Sequence, residues 1–242
     1  MTHPRVLLLD LDDTILDDSS MVHECWSGAC ASHADRLAPL DSNTVAEAIR
    51  TTSRWYWGDP ERHRMGRLEL DAARREVVRL ALAELGVHDE SLAAVIGDGY
   101  SHRRDAGMAP LPGAIDTVRW LRESGRRLAL LTNGAGPAQR RKLARFGLER
   151  LFDAILIEGE LGFGKPDERV YLRALDALDA RPADAWMVGD HLEFDVGAPQ
   201  KLGVSGVWVD AGGGGVPERG TIRPDHVVRS LGDIRSLVRR TP

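Results

Sequence analysis

Cysteine is nearly missing from this chain, which has Cys25 and Cys30 and no others in 242 residues. The two stand five apart on a predicted helix, a spacing that does not suit a disulfide on one helix face. They read as free thiols in a reducing compartment. A zinc pair with His23 or His33 would need a second pair of ligands, and none is evident elsewhere. No apolar stretch reaches the length of a membrane span, and Met1-Thr2-His3-Pro4 leads straight into a strand with no signal-peptide pattern. A cytoplasmic protein without a membrane partner is therefore expected. A polybasic block is also lacking: 32 Lys and Arg against 37 Asp and Glu give a net charge of −5, which argues against nucleic acid as the main partner. Low complexity is confined to Gly212–Gly215. It has neither the Lys-Ser/Thr ending of a phosphate loop nor a following helix, so it is expected to be a flexible surface loop. There is no internal repeat.

What the chain does contain is ordinary globular composition, 43% hydrophobic and 29% charged. Its length suits one large α/β domain or a core with a smaller insertion. Residues 6–14 organise the rest: Val6-Leu7-Leu8-Leu9-Asp10-Leu11-Asp12-Asp13-Thr14. Four uninterrupted apolar residues predict a short strand buried on both faces, as in a parallel sheet. The run stops at three carboxylates, and ligand chemistry in open α/β sheets lies beyond the carboxyl ends of strands. With extended backbone, Asp10 and Asp12 point to one side and Asp13 to the other. Two carboxylates sharing a cleft need a cation, a shared proton or a role. The competing reading is an acidic turn whose side chains bond the backbone.

A polar connector, Asp17-Asp18-Ser19-Ser20, leads into a block without strand pattern. Helices are predicted over 21–37, 43–57, 67–85 and 90–104, with Asp41 and Ser42 as an N-terminal cap and Gly86 as a stop. From Pro110 the pattern alternates. Helices are expected over 113–123, 137–146, 167–178, 196–202 and 231–238, and strands over 127–131, 153–157, 185–188, 206–209 and near 225–228. Such alternation gives right-handed crossovers and a parallel sheet. The predicted architecture is an α/β, Rossmann-like parallel sheet core of residues 1–17 and 106–242, interrupted by an all-helical insertion, residues 18–105.

Four sites fall at or near strand ends: Asp10 and Asp12; Thr132 with Asn133 and Gly134; Lys165; and Asp190 with Asp195. Taken singly each has a plain reading. Thr132-Asn133-Gly134 is a turn signal, Lys165 a solvated loop lysine, and Asp190 and Asp195 turn and cap residues. Asp13 reads as structural, and His191, next to Asp190, as a solvent-facing turn residue or else a substrate contact. The stretch from Trp55 to Arg64 gathers three of the thirteen aromatic residues with two arginines. It suits substrate recognition by an aromatic face and by Arg62 and Arg64, or else helix packing followed by a solvated turn.

Together these motifs resemble the haloacid dehalogenase-like (HAD) hydrolases, and within them the phosphatases with a helical cap. The family's Asp-x-Asp-x-Thr is matched by Asp10, Asp12 and Thr14, its hydroxyl motif by Thr132, its lysine by Lys165 and its acidic pair by Asp190 and Asp195, in order and along essentially the whole chain. The Thr132-Asn133-Gly134 form and the run from Gly189 to Asp195 are most similar to sialic-acid 9-phosphate phosphatases (N-acylneuraminate-9-phosphatase) and the related pyrimidine 5'-nucleotidases. The resemblance implies a Mg²⁺-dependent phosphomonoester hydrolase acting on a small soluble phosphate ester, a sugar-acid or nucleoside monophosphate. It implies Asp10 as nucleophile, Asp12 as acid and base, and Thr132, Asn133, Gly134 and Lys165 on the phosphoryl group. It also implies metal held by Asp10, the main-chain carbonyl of Asp12, Asp190 and Asp195. A haloacid dehalogenase is the first alternative, disfavoured because a halide needs no proton and Asp12 is present. A non-catalytic Mg²⁺- or phosphate-binding regulator is the second, disfavoured because no motif position is lost.

Overall fold

The structure, a computed structural model, describes residues 4–217 and 220–240; Met1-Thr2-His3 lie outside them. The chain divides into two compact units, one formed by the segments up to Asp17 and from Ala109 onward, the other running from Asp18 to Met108.

The first unit is a six-stranded parallel sheet with surrounding helices, in the order β5-β4-β1-β6-β7-β8. Its strands are β1 (Val6–Leu9), β4 (Arg127–Thr132), β5 (Ala154–Ile157), β6 (Ala185–Gly189), β7 (Ser205–Val209) and β8 (His226–Val228). The α/β parallel architecture expected from the sequence is thus present. The chain enters at β1, moves outward through β4 and β5, and returns to the opposite side of β1 at β6. The strand order therefore reverses between β1 and β6, the position where α/β sheets open a crevice at their carboxyl edge. Val6 to Leu9 are all fully buried, which is why β1 reads as a continuous apolar run. Leu9 pairs with Leu130 of β4 and Val188 of β6, so three strands end at one edge with Asp10 among them. On one face Val6, Leu8, Ala129, Leu131 and Met187 pack against Val170, Tyr171 and Ala174, the alternate residues that strand geometry requires.

The sequence did not disclose one small element of this unit. The connector read as polar begins inside β2 (Leu16–Asp17), paired antiparallel with β3 (Ala109–Pro110) through Leu16↔Pro110 and Asp17↔Ala109. Two-residue strands carry no periodicity to detect.

The second unit is all helical: α1 (Val22–Ala31), α2 (Ala34–Leu37), α3 (Ser42–Gly58), α4 (Pro60–Gly66), α5 (Leu70–Glu84) and α6 (Glu90–Gly107). Asp41, Asp59 and Asp89 cap α3, α4 and α6 by accepting the N–H of Thr44, Arg62 and Leu92. The single helix expected over 21–37 is broken at Ser32 and His33, weak helix formers beside a Ser32 hydroxyl that bonds the Gly28 carbonyl. The solvated turn expected near Pro60 is a helix, with Pro60 in its first turn and Asp59 as its cap. Trp26 stacks on Tyr100 at 3.6 Å within a core that includes Ile49, Val77, Leu82 and Ile96. Cys25 and Cys30 are free thiols buried in it, and burial pushes the Cys30 thiol up to about 11.

The remaining helices belong to the first unit: α7 (Ala114–Glu123), α8 (Gly136–Arg145), α9 (Glu158–Leu161), α10 (Glu168–Ala177), α11 (Ala198–Gln200) and α12 (Ile234–Arg240). The helix expected over 196–202 starts earlier, as a π-helical turn at Leu192–Gly197 that runs into α11. The loop Gly212–Gly215, expected to be flexible, is tied down: Gly213, Gly214 and Gly215 donate their N–H groups to the Asp210 carboxylate. No described helix is long and apolar enough to cross a membrane.

Ile49 is fully buried in the helical core. Ile49→Ala is expected to destabilise this unit by about 2–5 kcal/mol and Ile49→Val by only about 0.5–1.5 kcal/mol. Chemical denaturation followed by circular dichroism measures both, and equal losses would contradict a packing origin.

Candidate active site

The carboxyl edge of the sheet at the β1/β6 reversal gathers the charged groups. Asp10 follows β1 and donates its N–H to the Val188 carbonyl at 3.0 Å, which fixes its backbone against β6. Asp190 follows β6, its carbonyl accepting from Trp208 Nε1 at 2.7 Å. Asp195 comes from the π-helical turn. It is fully buried and accepts the His191 N–H at 3.0 Å. Its carboxylate lies over Gly189, where an added Cβ would meet Oδ2 at 2.2 Å; only glycine leaves room there.

Lys165 joins the carboxylates. Its Nζ donates to Asp10 Oδ1 at 2.6 Å and to Asp195 Oδ1 at 2.7 Å, with almost no exposure. The loop carrying it is locked to the end of β4 by a reciprocal pair: Asn133 Nδ2 donates to the Lys165 carbonyl at 2.7 Å, and the Lys165 N–H donates to Asn133 Oδ1 at 2.8 Å. Gly164 allows this approach, since a Cβ there would stand 2.4 Å from Asn133 Oδ1.

Burial pushes the Asp10 carboxyl well above the usual carboxylate range; Lys165 opposes this, and Asp195 and Asp190 add to it. Asp190 is raised by burial and then by Asp195 and Asp13. Burial alone would lower the Lys165 ammonium, but the facing Asp10 and Asp195 outweigh it and hold it protonated. Oxygens of Asp10, Asp190 and Asp195 all lie within 4.8 Å of one another, the one such cluster among the described residues. Three carboxylates converging with one lysine, each disfavouring the others' charge, form a hard oxygen donor set that fits a divalent cation.

Beside this cluster stands the turn after β4. Thr132 is buried, and its hydroxyl accepts from Gln139 Nε2 at 2.8 Å. Gly134, at φ 112°, donates its N–H to the buried Glu158 carboxylate at 2.9 Å. That N–H, expected to face a phosphoryl oxygen, is therefore engaged within the protein. Asp12 is held on the other side of the turn: Lys142 Nζ lies 2.8 and 2.9 Å from its two oxygens, and Gln139 Nε2 donates to Oδ2 at 3.0 Å. Asp13 takes a left-handed conformation at φ 59° and donates its N–H to the Leu16 carbonyl at 2.7 Å. His191 is exposed and stacks on Phe194.

Asp10, Lys165, Asp190 and Asp195 are thus brought together, with Asp12, Thr132 and Asn133 tied through Gln139 and Lys165 and Gly134 held by Glu158. Gln139, Lys142 and Glu158 escaped the sequence reading. The only signal for the first two was their spacing of three on the helix after Thr132. Arg62 and Arg64 belong to the helical unit. Arg62 donates to the carbonyls of Tyr56 and Trp55 and lies 3.9 Å over the Trp55 ring. Arg64 pairs with Glu61 at 2.7 Å.

The same sequence matches known proteins. A phosphoserine phosphatase from Thermus thermophilus is 35% identical over 258 aligned residues, covering 96% of this chain and 97% of its own. The N-acylneuraminate-9-phosphatase of Rattus norvegicus is also 35% identical, over 113 residues, 46% of this chain and 45% of its own. Among solved structures, the magnesium-bound HAD-hydrolase YfnB from Bacillus subtilis superposes with a TM-score of 0.75 at 23% identity, covering 98% of this chain and 99% of that one; at that identity it speaks for the fold. The sequence model of the haloacid dehalogenase-like hydrolases matches residues 4–203, and the chain belongs to that family.

Proposed function

We propose that this hydrolase is a Mg²⁺-dependent phosphomonoesterase that cleaves a small soluble phosphate ester through an aspartyl-phosphate on Asp10. The observation that carries the reading is the buried Lys165 ammonium 2.6 Å from the Asp10 carboxylate, beside a second carboxylate, Asp12, two residues along the chain. A cationic partner favours the ionised, attacking form of Asp10 against the burial that disfavours it. A second carboxyl group is needed only when the leaving group requires a proton, as an alkoxide does and a halide does not. This argues against dehalogenation. The retention of all four motif positions argues against a non-catalytic regulator.

In this reading an Asp10 oxygen attacks phosphorus, the ester P–O bond breaks, and the departing alkoxide takes its proton from Asp12. The Asp12 carboxylate then takes a proton from water, the water oxygen attacks phosphorus, and the bond to Asp10 breaks to release inorganic phosphate. The Thr132 hydroxyl and the Asn133 N–H hold non-bridging oxygens, and the conformational freedom of Gly134 shapes their turn. Lys165 keeps its proton throughout and offsets the charge on nucleophile and phosphoryl group, the fixed electrostatics on which phosphoryl transfer depends. A Mg²⁺ ion would be held by Asp10, Asp190, Asp195 and the Asp12 carbonyl, and would supply the positive charge that lets a phosphate dianion approach a carboxylate.

The helical unit, residues 18–105 in the sequence reading, serves as the cap that selects the leaving group. Arg62 is engaged by Trp55 and Tyr56, so Arg64, whose partner Glu61 is exposed, is the better candidate for a substrate anion. We rank O-phosphoserine first among substrates, a choice supported by the phosphoserine phosphatase relative that spans 96% of the chain. Sugar-acid phosphates come second and nucleoside monophosphates third. Two buried thiols suit a cytoplasmic location.

Phosphate release from these esters, with and without Mg²⁺, tests the reading. Asp10→Asn is expected to lower turnover on the order of 10⁴-fold or more, and release that persists in this variant would refute the covalent mechanism. Chelation with EDTA is expected to abolish release by the wild type, and added Mg²⁺ to restore it; activity indifferent to chelation would remove the metal from the reading.

A further inference from the structure

The α8 helix makes contacts that none of the motifs explains. Gln139 and Lys142 sit three apart on one face of it, and both reach Asp12. Gln139 Nε2 stands within hydrogen-bond distance of three oxygens: Asp12 Oδ2 at 3.0 Å, Thr132 Oγ1 at 2.8 Å and the Asn133 carbonyl at 2.6 Å. Its Oε1, equally buried, takes no bond from any described residue, so the Nε2 end alone fixes the side chain. One amide thus links the acid/base carboxylate to the turn assigned to the phosphoryl oxygens. Lys142 Nζ brackets both Asp12 oxygens at 2.8 and 2.9 Å.

Composition adds a second observation. Of the 32 basic residues only Lys142, Lys165 and Lys201 are lysines, the other 29 being arginines. Two of those three stand on the two carboxylates of the Asp-x-Asp motif. Lysine is a compact point charge, whereas arginine presents a wide planar fork that would bridge a carboxylate edge to edge. In a chain that otherwise uses arginine, a lysine at each motif carboxylate marks places where a small cation is required.

Resting on the phosphatase reading above, we propose that Gln139 and Lys142 are positioning residues that hold the Asp12 carboxyl in register with the Thr132–Asn133 turn, where it faces the leaving oxygen of a phosphoryl group seated there. The Asp12 side chain is 28% exposed, and without this clamp it would have room for other rotamers. Proton transfer to a leaving group depends on hydrogen-bond geometry, and a displacement of about 1 Å can cost on the order of 10²-fold in rate.

The test compares two leaving groups in Lys142→Met and Gln139→Leu. An alkyl phosphate such as O-phosphoserine needs a proton on its departing oxygen, and 4-nitrophenyl phosphate does not. First-turnover release of serine and of 4-nitrophenol isolates that step from later hydrolysis of the intermediate. The ratio of the nitrophenyl rate to the alkyl rate is expected to rise on the order of 10²-fold in each variant, and Lys142→Arg to raise it less than Lys142→Met. An unchanged ratio, with both rates lowered together or neither, overturns the proposal. A readout free of activity is the double-mutant cycle of Asp12→Asn with Lys142→Met in chemical denaturation. Non-additive unfolding supports the clamp and additive unfolding overturns it. Wild-type protein that releases neither alcohol sinks the phosphatase reading itself, a failure the cycle separates from the loss of the clamp.

Discussion

Everything at the carboxyl edge of the sheet depends on one buried ammonium group. Three aspartates converge where β1 and β6 end, and carboxylates so placed repel one another and lose hydration. Lys165 answers two of them at once, Asp10 and Asp195, at 2.6 and 2.7 Å. Removing one partner of a buried pair leaves an uncompensated charge, which costs about 3–5 kcal/mol. The arrangement is therefore a structural liability, and the surrounding sequence serves to hold it. The Asn133 side chain fixes the backbone of Lys165 from both sides, and glycines at 164 and 189 clear the space that these contacts need.

The topology explains why residues 185 apart in sequence meet. A parallel sheet entered at its centre and wound first to one side, then to the other, must leave a gap between the crossovers flanking its first strand. Asp10 and Asp195 both face that gap. Thr132 and Asn133 reach it from β4, and Lys165 from the connection after β5. The apolar core does the indirect work: fully buried Val6 to Leu9 fix the height of β1 against β4 and β6, and that height sets where Asp10 stands.

Much of this was legible from the sequence. The apolar run before Asp10, the alternation of strands and helices after Pro110 and the helical block before it rest on periodicities of two and 3.6, which survive in a single chain. The order of acidic, hydroxyl and basic residues at strand ends carried the family. What escaped was short or non-local. The β2/β3 ribbon is too brief for a pattern, and so is the six-residue π-helical turn at Leu192–Gly197 that buries Asp195. Gln139 and Lys142 look like surface residues of an Arg-rich helix until Asp12, more than 120 positions earlier in the chain, is brought beside them. Glu158 was equally silent, although its carboxylate takes up an N–H of the turn after β4.

The β2/β3 ribbon has a consequence for how this chain can change. Asp17 and Ala109 are paired neighbours in the ladder, so the ninety-odd residues between them leave and rejoin the α/β unit at one point. A segment inserted between two paired residues alters neither the register of the sheet nor the height of its carboxyl edge. The ribbon acts as a fixed socket: whatever is spliced into it, long or short, the strand ends and the groups they carry keep their places. Such a junction lets the helical segment be exchanged as a block, so that the two units can vary on separate stretches of one gene.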